Sequence, residues 1–115
     1  MKLIPAVDIF EGKCVRLFQG KYNKSTTYSD SPIEMALRWI ELGADILHIV
    51  DLEGALSGTS KILPIIEKIA IHGIAIQLGG GIRNTKDVEN AFNAGASKII
   101  LGTSAINYQS WATEL

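Results

Sequence analysis

The segment Gln77-Leu78-Gly79-Gly80-Gly81-Ile82-Arg83 has the make-up of an anion-binding turn. It follows a short apolar run, Ile74-Ala75-Ile76, and precedes a helix-like stretch. Glycine lacks a Cβ, so its backbone turns sharply and lets an anion come close. A helix that starts just beyond directs unpaired N–H groups and the positive end of its dipole at the same point. Ile99-Ile100-Leu101-Gly102-Thr103-Ser104 has the same order of apolar run, glycine and hydroxyl residues. Two such junctions in a chain of this length point to a phosphorylated ligand.

Acids and arginines stand close to these junctions. Asp8 closes the first apolar run and Asp51 the second. In parallel α/β folds that edge of the sheet carries the chemistry. A carboxylate there can serve as a general base; equally, Asp8 can cap the turn at Phe10-Glu11-Gly12. Arg16 and Arg83 have the fork that grips phosphate or carboxylate. Arg83 directly follows the glycine run, whereas Arg16 on its own reads rather as a solvated or ion-paired surface residue. His48, in mid-strand, and Cys14 read as packing residues. Trp39 and Trp111 read as core or interface. Thr103 and Ser104 read either as helix caps or as phosphate donors. No His, Cys and Asp cluster has metal-ligand spacing, and neither dinucleotide nor P-loop signature occurs. No cofactor or metal is expected.

The elements that must hold these residues alternate between strand and helix. Strands are expected at Leu3–Ile9, Ile46–Val50, Ile74–Leu78 and Ser97–Leu101. Phe10–Asp30 reads as long and irregular, with a short extra strand at Cys14–Phe18. Ser31-Pro32-Ile33-Glu34 opens a helix, with Ser31 as N-cap and Pro32 in the first helical position. Met35, Ala36, Trp39, Ile40 and Leu42 share a face, and Gly43 ends the helix. Ile62, Ile65, Ile66 and Ile69 mark a second helix over Lys61–His72, stopped by Gly73. Asn84 caps a third, with Val88, Ala91 and Phe92 inward and Gly95 as its stop. Ser104–Leu115 reads as one further short helix. The strands are near-continuous apolar runs, the pattern of parallel strands buried on both faces. Leu42-Gly43-Ala44 followed by Ile46–Val50 repeats as Ala94-Gly95-Ala96 followed by Lys98–Leu101. This two-unit repeat is the mark of a barrel-type fold.

At 115 residues the chain makes one domain, 1–115. Eleven basic and twelve acidic residues balance, so nothing directs it to nucleic acid. The apolar fraction, 47 %, is high for so small a domain, and some of it is expected to meet a partner. The single Cys14 excludes an internal disulfide, as in the cytoplasm. No apolar run approaches the roughly 20 residues that span a membrane.

Five segments carry a resemblance. They are Ile4-Pro5-Ala6-Val7-Asp8, Gly12–Gly20, His48–Ala55, Gln77–Arg83 and Ile100-Leu101-Gly102-Thr103. In order and spacing they resemble the N-terminal half of the ProFAR (phosphoribosylformimino-AICAR-phosphate) isomerases of histidine biosynthesis. The related cyclase subunit of imidazole glycerol phosphate synthase fits less well. The resemblance runs over nearly the whole chain. It implies half of a (βα)₈ barrel, a parallel (βα)₄ half-barrel of the TIM-barrel type. It implies that Asp8 is the general base of an Amadori rearrangement, aminoaldose to aminoketose, on a phosphoribosyl substrate. It further implies that Gly80, Gly81, Gly102 and Thr103 hold a phosphate, and that Arg16, Asp51 and Arg83 line the pocket.

The family's second aspartate and second phosphate site belong to the half that is absent from this sequence. The expectation is therefore a homo-oligomer built on dimers, in which open strand edges and an apolar sheet face come together. Asp8 of each copy would then face the other. The alternatives are a phosphate-binding half-barrel without catalysis, or one half of a split isomerase or cyclase.

Overall fold

The computed structural model describes residues 4–18, 21–29, 31–57, 61–101 and 104–113. Within them the chain runs β1 (Ala6–Phe10), β2 (Lys13–Phe18), β3 (Lys21–Ser29), α1 (Pro32–Glu41), β4 (Ile46–Asp51) and α2 (Leu52–Ser57). It continues with α3 (Leu63–Ala70), β5 (Ala75–Gly79), α4 (Thr85–Ala94), β6 (Lys98–Leu101), β7 (Ser104–Asn107) and α5 (Tyr108–Thr113). The seven strands form one sheet in the order β3-β2-β1-β4-β5-β6-β7. Its centre, β1-β4-β5-β6, is parallel, and each consecutive pair is separated by helix. This is the alternating β/α, mostly parallel arrangement of a partial TIM-barrel-type fold.

The helices start and stop where their local chemistry directs. Ser31 is extended (φ −126°), and its Oγ accepts the Glu34 N–H at 3.2 Å, with Pro32 just inside. Asn84 accepts the Asp87 N–H at 2.9 Å in the same way for α4. Gly43, Gly73 and Gly95 all stop helices at positive φ (98°, 85° and 117°). α3 is shorter than its apolar spacing predicts: Pro64 sits in its first turn, and Ile62 caps it without a side-chain hydrogen bond.

The core lies on one face of the sheet. Val7 and Ile9, Leu47 and Ile49, Ile76 and Leu78, and Ile99 alternate inward, each at most 3 % exposed. They pack against Ala36 of α1, Ile66 and Ile69 of α3, and Val88, Ala91 and Phe92 of α4. Each fully buried Ile or Leu contributes roughly 1.5–3 kcal/mol.

The opposite face differs from expectation. Apolar runs read as strands buried on both sides, yet the β4 burial pattern alternates strictly, and among the described residues the buried core with the helices lies on the face of Leu47 and Ile49. The opposite face is not simply apolar either. Paired registers set Ala6, His48, Gln77 and Lys98 in one row, and Asp8, Val50, Gly79 and Ile100 in the next. All of these are half-buried except exposed Ala6 and buried Gly79. A run such as Ile46-Leu47-His48-Ile49-Val50 conceals this, because its polar residue stands in line with apolar ones.

Three further expectations are corrected. After β1 the described residues form two antiparallel strands, β2 and β3, paired with register shifts at Cys14/Val15 and Leu17/Phe18, rather than an irregular loop with one short strand. The strand Lys21–Ser29 carries Thr and Tyr, which suit a pleated sheet, without the apolar alternation that announces one. The segment Ser104–Thr113 begins as β7, antiparallel to β6, and turns helical only at Tyr108. Among the described residues the edges of the parallel strands are covered, β1 by β2 and β6 by β7, so the sheet's outer strands are β3 and β7.

Candidate functional site

The carboxyl ends of β1, β4 and β5 meet at one rim, with the short helix α2 seated on it. Asp8 stands in β1, half-buried, on the face opposite the buried core. Its neighbours in register are Val15 on one side and Val50 on the other, with Gly79 beyond. Gly79 is buried, and the Ile100 side chain lies beside it on the same row.

Asp51 is not on that face. The alternation that turns Leu47 and Ile49 toward the helices turns Asp51 the same way, and it is fully buried. It pairs in register with Ile9, itself a core residue. The Asp51 Oδ1 accepts the Gly54 N–H at 2.9 Å, the bond of an N-cap at the start of α2. The resemblance implied that Asp51 lines the pocket with Asp8; the structure sets the two on opposite faces.

The glycine run is shaped by what lies behind it. Gly80 and Gly81 have φ of +91° and +77°, where a side chain is strained. A Cβ on Gly80 would overlap the Asp51 carbonyl oxygen, and one on Gly81 would come within 2.9 Å of the Gly54 Cα. Both glycines are thus required by close approach to the β4–α2 junction. α4 begins beyond them, but its N-terminus is already engaged. The Asp87 N–H is held by Asn84, and the Asp87 carboxylate accepts the Arg83 N–H at 3.0 Å.

Arg83 is exposed, and its Nη2 reaches the Ala55 carbonyl of α2 at 3.4 Å. Glu53, also on α2, accepts the Glu11 N–H of the β1–β2 turn at 2.8 Å. Glu53 and Gly54 were not singled out as functional in the sequence. The pattern Asp51-Leu52-Glu53-Gly54, a capping residue followed by an acid in the first turn, is the signal that marks them.

Gly102 and Thr103 lie outside the described residues, as does the side chain of Arg16 on β2. The element that follows Gly102 and Thr103 is a strand, so no helix N-terminus opens directly after this second junction. Among the described residues, no group of three or more His, Cys, Asp and Glu is placed to hold a metal ion. Cys14 is buried, and burial pushes its thiol up from 9.0 to about 11, in keeping with a packing role. No helix among the described residues is long and apolar enough to cross a membrane.

The family model for histidine biosynthesis proteins matches residues 2–115. The chain belongs to that family. Its curated relatives include proteins named 1-(5-phosphoribosyl)-5-((5-phosphoribosylamino)methylideneamino)imidazole-4-carboxamide isomerase. That of Ruminiclostridium cellulolyticum is 53 % identical over 108 residues, covering 93 % of this chain and 46 % of the relative. That of Acetivibrio thermocellus is 50 % identical over 107 residues, 92 % of this chain and 45 % of the relative. That of Bacillus cereus is 47 % identical over 116 residues, 99 % of this chain and 48 % of the relative. The chain thus spans about half the length of the curated relatives it matches.

Proposed function

We propose that this chain supplies the base and one phosphate-binding rim for an aldose–ketose isomerisation of a phosphoribosyl substrate. The observation that carries the reading is the position of Asp8. It is half-buried in the register row Asp8, Val50, Gly79, which lies toward the carboxyl edge of the parallel strands, on the face opposite the buried core. Asp8 would take the proton from the carbon next to the aldehyde-level carbon, and a second acid would give one back. The Gly80 and Gly81 amides would hold a phosphate. The family resemblance would add Gly102 and Thr103 to the phosphate site and Arg16 to the pocket.

The acid must come from elsewhere, because no second carboxylate shares Asp8's face on β1, β4, β5 and β6. A second copy of the chain, joined face to face in a dimer, would contribute its own Asp8. Two equal carboxylates are poorly tuned for opposite roles, so turnover by such a dimer would be slow. The family role and the buried, unpaired Cys14 support a cytoplasmic setting.

A second reading is a phosphate-binding half-barrel without catalysis, and β7 favours it. By pairing with β6, β7 occupies the edge to which a further strand would have to add. The test is an assay with the phosphoribosyl substrate, run on wild type and Asp8→Asn alongside sedimentation. Turnover by an oligomer, abolished in Asp8→Asn at unchanged assembly, supports the isomerase. A stable monomer that binds phosphate without turnover supports the second reading. Turnover that survives Asp8→Asn defeats the role given to Asp8.

A further inference from the structure

Asp51 combines three features that a simple helix cap does not need. It is completely buried, its Oδ2 has no hydrogen-bond partner, and glycines surround it. A carboxylate oxygen withdrawn from water without a donor is costly, so such a group calls for a reason. The reason lies in the space around it. A Cβ on Gly54 would stand 2.5 Å from Asp51 Oδ2 and 3.0 Å from the Gly81 Cα. The carboxylate therefore fills the volume where a side chain at residue 54 would otherwise sit. Gly54, held at 2.9 Å by Oδ1, in turn offers a bare Cα against which the Gly81 backbone rests. The Asp51 carbonyl lies against Gly80 in the same manner.

We infer that Asp51 is a positioning residue for the Gly80–Gly81 turn: it fixes the first turn of α2, and α2 fixes the turn. This deepens the reading in which Gly80 and Gly81 hold phosphate, and it rests on that reading for its functional meaning. Asp51 does not touch the ligand. Its side chain is fully buried on the opposite face from Asp8. Its contribution is a capping bond and a filled volume. Asparagine can supply both, since it keeps an acceptor at Oδ1 and nearly the same shape.

The experiment is an NMR comparison of the full chain as wild type, Asp51→Asn and Asp51→Ala, first free and then titrated with inorganic phosphate. In the free protein, Asp51→Ala is expected to shift the Gly54, Gly80 and Gly81 amides and to speed their hydrogen exchange about fivefold or more, the scale of a lost N-cap. Amides of β1 should keep their wild-type shifts. Phosphate affinity should fall about as far. Asp51→Asn should restore the Gly80 and Gly81 shifts, and a phosphate affinity within about twofold of wild type. Should Asp51→Ala fail to fold, Gly54→Ala reads the same coupling, since its methyl must displace Oδ2 or Gly81. Wild-type shifts for Gly80 and Gly81 in the free Asp51→Ala protein, or in free Gly54→Ala, would overturn the inference. So would Asp51→Asn behaving as badly as Asp51→Ala. If wild type shows no phosphate-dependent shift, the binding reading fails, and the free-protein comparison still decides the positioning role.

Discussion

Gly43 and Gly95 end equivalent helices in the two copies of the internal repeat, and they are glycine for different reasons. Each follows a helix, has positive φ and precedes a buried alanine. Each alanine donates back into the helix: Ala44 to the Trp39 carbonyl at 3.0 Å, Ala96 to the Ala91 carbonyl at 3.1 Å. Around Gly43 there is open space, and nothing lies within 4 Å of where a Cβ would be. At Gly95 a Cβ would stand 2.5 Å from the Cβ of Ala70 on α3. The first glycine answers only to backbone conformation. The second answers also to the close packing of α4 on α3. Identical local sequence therefore marks a shared stop signal, while the tolerance of each site depends on what the fold brings next to it.

The largest expected effect tests this difference directly. Gly95→Ala should destabilise the protein by about 3 kcal/mol, combining roughly 1–2 for a side chain at positive φ with about 1–3 for overpacking. Gly43→Ala should lose only the first part, roughly 1–2 kcal/mol. Urea denaturation of both variants measures the gap, and adding Ala70→Gly should recover part of the loss at Gly95 but none at Gly43. Equal losses at the two glycines would break the comparison.

Cys14, by contrast, is buried in the core, and there pH reads the burial. The folded protein holds the thiol proton longer than the unfolded chain does, because burial raises its pKa from 9.0 to about 11. The stability contributed by the neutral thiol is present in full below pH 9.0 and is lost as pH rises through about 11. The difference in stability between wild type and Cys14→Ala should therefore shrink across that window. In the native protein at pH 8, Cys14 should resist alkylation until the chain unfolds.

The smallest effect isolates the conformational term. Glu11 and Gly12 form a two-residue turn between β1 and β2, with φ of +52° and +76°. Both values are positive, as a type I′ hairpin turn requires, and Glu is a poor choice for the first of them. Glu11→Asn keeps the backbone N–H that Glu53 accepts and suits the turn better. It should stabilise the hairpin by about 0.5–1 kcal/mol in thermal melts. A loss of stability would mean that the Glu11 side chain has a role beyond the turn.

Much of this protein was determined by its sequence alone. Capping at Ser31 and Asn84, stops at Gly43, Gly73 and Gly95, and the parallel strands between them all follow from short-range chemistry, and all are present. Asp8, expected to end the first strand, instead stands in the middle of β1, which runs on to Phe10. Tertiary structure decided the rest. Asp8 and Asp51 look alike in sequence, each an acid ending an apolar run. Strand parity separates them: Asp8 falls on the face opposite the buried core, and Asp51 falls in line with Leu47 and Ile49 against the helices. Gly80 and Gly81 look like a pure anion loop until the Asp51–Gly54 junction behind them is seen. The β6 edge, read as open, is closed by β7, because Ser104–Asn107 gains ladder hydrogen bonds that no local pattern announces. Local sequence fixes which backbone conformations are cheap; which face a side chain takes, and what fills the space beside it, follow only when distant segments meet.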